Sequence, residues 1–254
     1  PRLLWRACES IRPFPLLTCS TSLFGALIFA ADKLLSLSSS THTSYILPGT
    51  TMASFDAKTK SLMDFLESQA ETFPVNAGEY TQMSDLYQRK LWHQLTLLLD
   101  AFAASEGTGP QLQPLYETFI IDFKHKLNKL VLARLQVAVS KQLADIQAQT
   151  FFCTTAAEEA GKDDRQARSF ILCELARLKL DAGEVEETKA LLEDAAGYLE
   201  AAAGVENAVM ASYYRAWAGY YKIRGPAAQF YKHALLLLAY APLSSMPTDE
   251  ALTI

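Results

Sequence analysis

Beyond residue 84 the apolar positions return every three or four residues, the spacing that lines one face of an α-helix. Leu91, Leu95, Leu98 and Phe102 form the first such stripe, with Ser84 as its expected N-cap. Gly107, Gly109 and Pro110 should close that helix, because glycine favours the left-handed exit and the residue before proline resists helical angles. A second stripe begins near Pro114 with Leu115, Phe119, Phe123 and Leu127, leaving Asp122, Lys124 and Lys126 for water. Asn128 is the expected left-handed stop. Leu132, Leu135, Val139 and Leu143 then point inward, and a further helix runs from about Gln147 to Ala160, ended by Gly161.

The clearest hairpin lies between residues 163 and 204. Ile171, Leu175, Leu178 and Ala182 make one stripe, Thr188, Leu192, Ala195 and Leu199 the next, and Gly183 separates them. A second pair follows, with Val209, Tyr213, Trp217 and Tyr220 before the Gly225-Pro226 turn and Tyr231, Ala234 and Leu238 after it. Gly183 and Gly225 stand about one hairpin length apart, each followed by an Ala-Leu step, Ala190-Leu191 and Ala234-Leu235. The pattern predicts an all-α fold of stacked antiparallel helical hairpins. A hairpin alone leaves one apolar face uncovered, so such units stack and create extended surfaces suited to docking other proteins.

Composition agrees with helices: of 254 residues only 11 are Gly and 10 Pro, and 50% are hydrophobic. The net charge of -5 removes the positive field that nucleic acid or an anionic membrane would require, so neither is an expected partner. Cys8, Cys19, Cys153 and Cys173 contain no C-x-x-C pair and are too few to staple a secreted fold, so reduced, packed thiols and a cytosolic or nuclear home are expected.

Residues 1–51 differ from the rest. They hold no Met, carry Arg2, Arg6 and Arg12, and include an apolar run, Leu23 to Ala31, which behind that basic start has the outline of a signal-peptide core or transit peptide and is shorter than a membrane span. They are expected to be a disordered leader or a gene-model artefact preceding an initiator at Met52, followed by an N-terminal helical segment over 52–83, a helical-repeat arm over 84–243 and a tail over 244–254.

Catalytic signatures are missing between Met52 and Ile254: no P-loop, no G-x-G-x-x-G, no H-E-x-x-H and no G-x-S-x-G. His93, His125 and His233 fall in separate helices without partners at zinc-ligand spacing. Cys153 and Cys173 lie in apolar helical stretches where cysteine packs as a small hydrophobe, although a nearby histidine would make either a nucleophile. The carboxylate pairs Glu158-Glu159, Asp163-Asp164 and Glu186-Glu187 sit on charged faces or near helix starts. Tyr213, Tyr214, Trp217, Tyr220, Tyr221, Phe230, Tyr231 and Tyr240 form a dense aromatic group read chiefly as hairpin interior, with its outer members available for docking. No catalytic, cofactor-binding or metal-ligating residue is assigned, and no small-molecule substrate is expected. The residues singled out are structural: the turns Gly183 and Gly225, and the packing positions Leu91, Leu95, Leu98, Phe102, Leu175, Leu178, Leu192, Tyr213, Trp217 and Tyr231.

The run from Leu86 to Thr96, with Lys90-Leu91-Trp92-His93-Gln94-Leu95-Thr96 at its centre, resembles the non-ATPase regulatory subunit 13 family of the 26S proteasome lid. Leu115-Tyr116-Glu117, Phe119-Ile120, Ile171-Leu172-Cys173, Leu178-Lys179-Leu180, Gly183, Thr188-Lys189, Gly204-Val205 and Tyr220-Tyr221 up to Tyr231-Lys232 look similar to the same family in the same order. The resemblance spans roughly Asp85 to Leu243. It implies a TPR-like, PCI-type right-handed solenoid in a non-catalytic lid scaffold that serves ubiquitin-dependent degradation, with other PCI-type lid subunits as partners. In that family a PCI winged helix follows the arm, and the expectation is that this chain ends before it. A free helical-repeat adaptor is the alternative, and an all-α cysteine hydrolase a more distant one.

Overall fold

A computed structural model of the chain describes residues 50–105, 107–161, 164–242 and 246. The expected leader, apart from its last two residues, and all but Met246 of the expected tail lie outside these described residues. The rest is an all-α helical solenoid. Its first part comprises α1 (Thr50–Thr72), α2 (Ala77–Gln88) and α3 (Trp92–Ala104). A rod follows, made of α4 (Gly109–Leu115), a π-helical turn over Tyr116–Ile120, the single turn α5 (Ile121–Phe123) and a 3-10 turn over Lys124–Lys126. Then come α6 (Lys129–Ser140), α7 (Ile146–Ala160), α8 (Arg165–Asp181), α9 (Val185–Leu199), α10 (Asn207–Arg224) and α11 (Ala227–Tyr240).

Two apolar cores share one helix. Leu66, Tyr80, Met83, Leu95, Leu99, Leu115 and Phe119 fill the first, and Ile171, Cys173, Ala176, Leu192, Ala195 and Val209 fill the second. Helix α6 lies between them, giving Val131, Leu132, Leu135 and Val139 to one core and Leu130, Ala133 and Val137 to the other. A helix apolar on so much of its circumference has to be covered on both sides, and that requirement makes α6 the spine of the stack. Helix α8 plays the same part next door, packing on α6, α7, α9 and α10. A small third core of Ala211, Leu237, Ala241 and Met246 holds α11 against α10.

Several polar groups caught inside are paired, as burial favours, while Nε1 of Trp217 and the Nε atoms of Arg134 and Arg177 are buried without a hydrogen-bond partner among the described residues. Gln111 on α4 accepts hydrogen bonds from the Tyr80 hydroxyl at 2.8 Å and the Asn76 amide at 3.2 Å. Thr108 closes the end of α3 by donating to the carbonyl of Phe102 or Ser105, each 2.9 Å away.

Several helix boundaries differ from the periodicity reading. Ser84 lies inside α2 and is no N-cap, because the chain breaks at Lys90 instead, where φ is 58°. The second stripe starts at Gly109, with Pro110 in the first turn where its missing N–H costs nothing, and Pro114 sits inside the helix. Asn128 does not stop a helix but starts one: its φ is -60° and its side chain accepts from the backbone of Leu130 and Val131. Leu143 and Ala182 fall just outside α6 and α8.

Candidate docking groove and packing residues

The structure separates the residues singled out from sequence. Leu95 and Leu192 are fully buried, and Phe102, Leu175, Leu178, Tyr213 and Trp217 are buried as well, while Leu98 is half-buried against the first core. Leu91 and Tyr231 depart from the packing expectation. Leu91 is the N-cap of α3 and is exposed, since its turn belongs to the break between α2 and α3. Tyr231 is 65% exposed, because α11 turns Leu237, with Ala241 just beyond its end, toward Ala211 of α10, a side rotated away from Tyr231. Gly183 and Gly225 stand at the hairpin turns with φ of 84° and 66°.

The aromatic group forms a ladder between α10 and α11. Trp217 stacks on Tyr221 at 5.3 Å, Tyr214 stacks on Tyr240 at 5.5 Å, and His233 sits among Tyr214, Trp217 and Tyr221. His233 thus serves as a ring in a packed interface, and its Nδ1 lies 2.7 Å from the Gln229 carbonyl oxygen.

A groove of about 670 Å³ crosses the stack, touched by the α3–α4 junction, α6, α8, α10 and the end of α11. At its base lies Glu174, a carboxylate on α8 that is only 6% exposed. Ser212 of α10 donates to it at 2.7 Å, Lys141 beyond α6 approaches at 3.8 Å, and Arg177 one turn along approaches at 3.5 Å. Burial pushes this carboxyl upward, but Lys141, Arg177, the Ser212 hydroxyl and Arg215 together outweigh it and hold the group below the ordinary carboxylate value. Glu174 is therefore a charged tie between hairpins at neutral pH. Higher on the groove wall, Arg134 of α6 joins Asp100 of α3 at 3.0 Å and Glu206, before α10, at 3.1 Å. None of these groups was singled out from sequence. One signal was present: Glu174 is a lone charge inside the apolar run from Phe170 to Ala176.

The groove's chemistry is that of ion pairing and hydrogen bonding. The Cys173 thiol, near Glu174 in sequence, is pushed up by burial and by that carboxylate, and Cys153 is raised chiefly by burial despite a hydrogen bond with Ser140. Neither is poised as a thiolate nucleophile at neutral pH. Among the described residues no group of three or more His, Cys, Asp or Glu is placed to hold a metal ion, and no helix is long and apolar enough to cross a membrane.

Helical hairpins stacked on one another through shared apolar cores define the class of helical-repeat proteins. Residues 79–254 match the family model described as PSD13 N-terminal repeats, and the chain belongs to this family. It is 36% identical over 190 residues to 26S proteasome non-ATPase regulatory subunit 13 homolog B of Arabidopsis thaliana, covering 72% of this chain and 49% of that protein. It is 32% identical over 191 residues to the probable 26S proteasome regulatory subunit rpn9 of Schizosaccharomyces pombe, covering 75% of this chain and 50% of that protein. With the 26S proteasome non-ATPase regulatory subunit 13 of Dictyostelium discoideum the identity is 29% over 193 residues, covering 74% and 50%. The chain spans about half the length of the relatives it matches.

Proposed function

We propose that the chain is a non-catalytic scaffold subunit of the lid of the proteasome regulatory particle, supporting lid assembly and thereby ubiquitin-dependent protein degradation in cytoplasm and nucleus. The observation that carries this reading is the coincidence of two ranges: the family match over 79–254 falls on the stack of helical hairpins from α2 to α11. Relatives named as proteasome regulatory subunits share that stretch. The physical form supports the same role. Stacked helices fix their spacing through shared cores, so side chains on the outer faces are presented to partners at constant geometry. Phe151 on α7, Ile223 on α10, and Tyr231 and Leu235 on α11 are large apolar side chains left in solvent, and the aromatic two, Phe151 and Tyr231, are of the types enriched at protein interfaces. On this reading residues 84–243 are the docking arm, and its partners are other lid subunits of PCI type.

Co-expression with the remaining lid subunits tests this. The chain should co-elute with them in gel filtration, and a chain that elutes alone under conditions where the other subunits assemble refutes it.

A further inference from the structure

A second pocket, of about 440 Å³, lies on the first half of the stack, away from Glu174. Its size is within the roughly 300–1,000 Å³ usual for ligand sites. Trp92, Tyr87 and Phe123 make its floor. Trp92 stacks on Phe123 at 5.6 Å and meets Tyr87 edge-on at 5.7 Å, and the Lys126 ammonium lies 4.6 Å above the Trp92 ring. The rim carries Lys58, Lys90, His125 and Lys126. Asp122 is the acid of this pocket, and it is engaged by Lys58 and by the Tyr87 hydroxyl. Among the described residues Lys90 and Lys126 have no acidic partner, so the rim is cationic on a chain whose net charge is -5.

Lys90 supplies an independent observation. It sits at the C′ position of α2, a left-handed site at which glycine is the usual residue, and it is the positive-φ residue other than glycine among those described. Keeping a lysine there strains the backbone, and strain held at a surface position points to a functional side chain. That side chain lines the pocket. An apolar aromatic floor under a cationic rim is complementary to an acidic peptide that carries a large apolar residue. We propose that the Trp92 pocket docks such a segment of a partner protein, with its apolar side chain on Trp92 and Phe123 and its carboxylates on Lys90 and Lys126. The site's chemistry does not depend on lid membership, so it is measured on the isolated chain.

The test is fluorescence anisotropy of the full chain with a labelled peptide of alternating Asp and Glu around a central Phe-Leu. The peptide should bind, and replacing its acids by Lys or its Phe-Leu by Ala-Ala should each weaken binding several-fold. Lys90→Glu with Lys126→Glu should weaken it about tenfold, and Lys90→Gly about two- to five-fold, the size of partly exposed ion pairs. Lys90→Gly relieves the backbone, so its loss of binding is not a loss of fold. Equal binding of the acidic and basic peptides, or no change in the Lys90 and Lys126 variants, overturns the proposal. So does binding of single-stranded RNA as tight as that of the acidic peptide.

Discussion

Ser212 on α10 donates a 2.7 Å hydrogen bond to the buried carboxylate of Glu174 on α8, so a single polar contact ties two successive hairpins at the base of the groove. Removing the hydroxyl leaves a buried charge with fewer donors. Ser212→Ala should therefore cost about 1–3 kcal/mol, read as a lower urea midpoint with an unchanged slope.

Glu174 also sets a pH dependence. Its folded pKa lies below the ordinary carboxylate value because Lys141, Arg177, Ser212 and Arg215 outweigh the effect of burial. A carboxyl of that kind adds stability above its unfolded pKa, and the contribution is lost as pH falls through the folded value. The wild-type chain should exceed Glu174→Gln in stability at pH 7, and the gap should shrink as pH drops below about 4. A gap that widens on acidification would contradict the assignment.

Lys90 and Gly183 close α2 and α8 with one hydrogen-bond pattern. Each N–H reaches the carbonyl three residues back, to Tyr87 and Leu180, and the following N–H reaches five residues back, to Leu86 and Lys179. Both residues have positive φ, 58° and 84°. Glycine adopts this freely and a residue with a side chain only at a cost in strain, so opposite substitutions should have opposite signs. Lys90→Gly should stabilise by about 1 kcal/mol and Gly183→Ala should destabilise by about 1–2 kcal/mol, both measurable by thermal unfolding.

Leu91 and Leu95 lie one turn apart in sequence and on different sides of a helix start. Leu95 is fully buried, and Leu95→Asp should cost several kcal/mol, in the range of about 3–5 for an unpaired buried charge. Leu91 is the exposed N-cap of α3 without a capping side chain, so Leu91→Asp should be neutral or stabilise by up to about 1 kcal/mol. Paired urea denaturation curves separate the two outcomes.

The contrast also shows what the sequence could reveal. Periodicity located the helices because a buried stripe needs apolar side chains every three or four residues, and Leu95, Phe102, Ile171 and Leu192 satisfy that locally. It erred where a tertiary or backbone effect decides. Leu91 continues the stripe of α3, but the break at Lys90 turns it outward, and a lysine in a left-handed cap carries no sequence signal comparable to glycine. Tyr231 fits the α11 period as well as Leu237 does, and only the packing of α10 selects between them. Asn128 is equally suited to ending or starting a helix, and the fold uses its side-chain oxygen as an N-cap. The groove was hidden for a related reason. Glu174, Ser212, Arg134 and Asp100 are far apart in sequence, and the hairpin stacking alone brings them together.

The proposed role requires that this chain dock to other subunits of the proteasome regulatory particle. Native mass spectrometry of complexes purified on the tagged chain from its own cells tests it most directly. Assemblies containing this chain together with other lid subunits are expected. Recovery of the chain free, or only with proteins outside the regulatory particle, would contradict it.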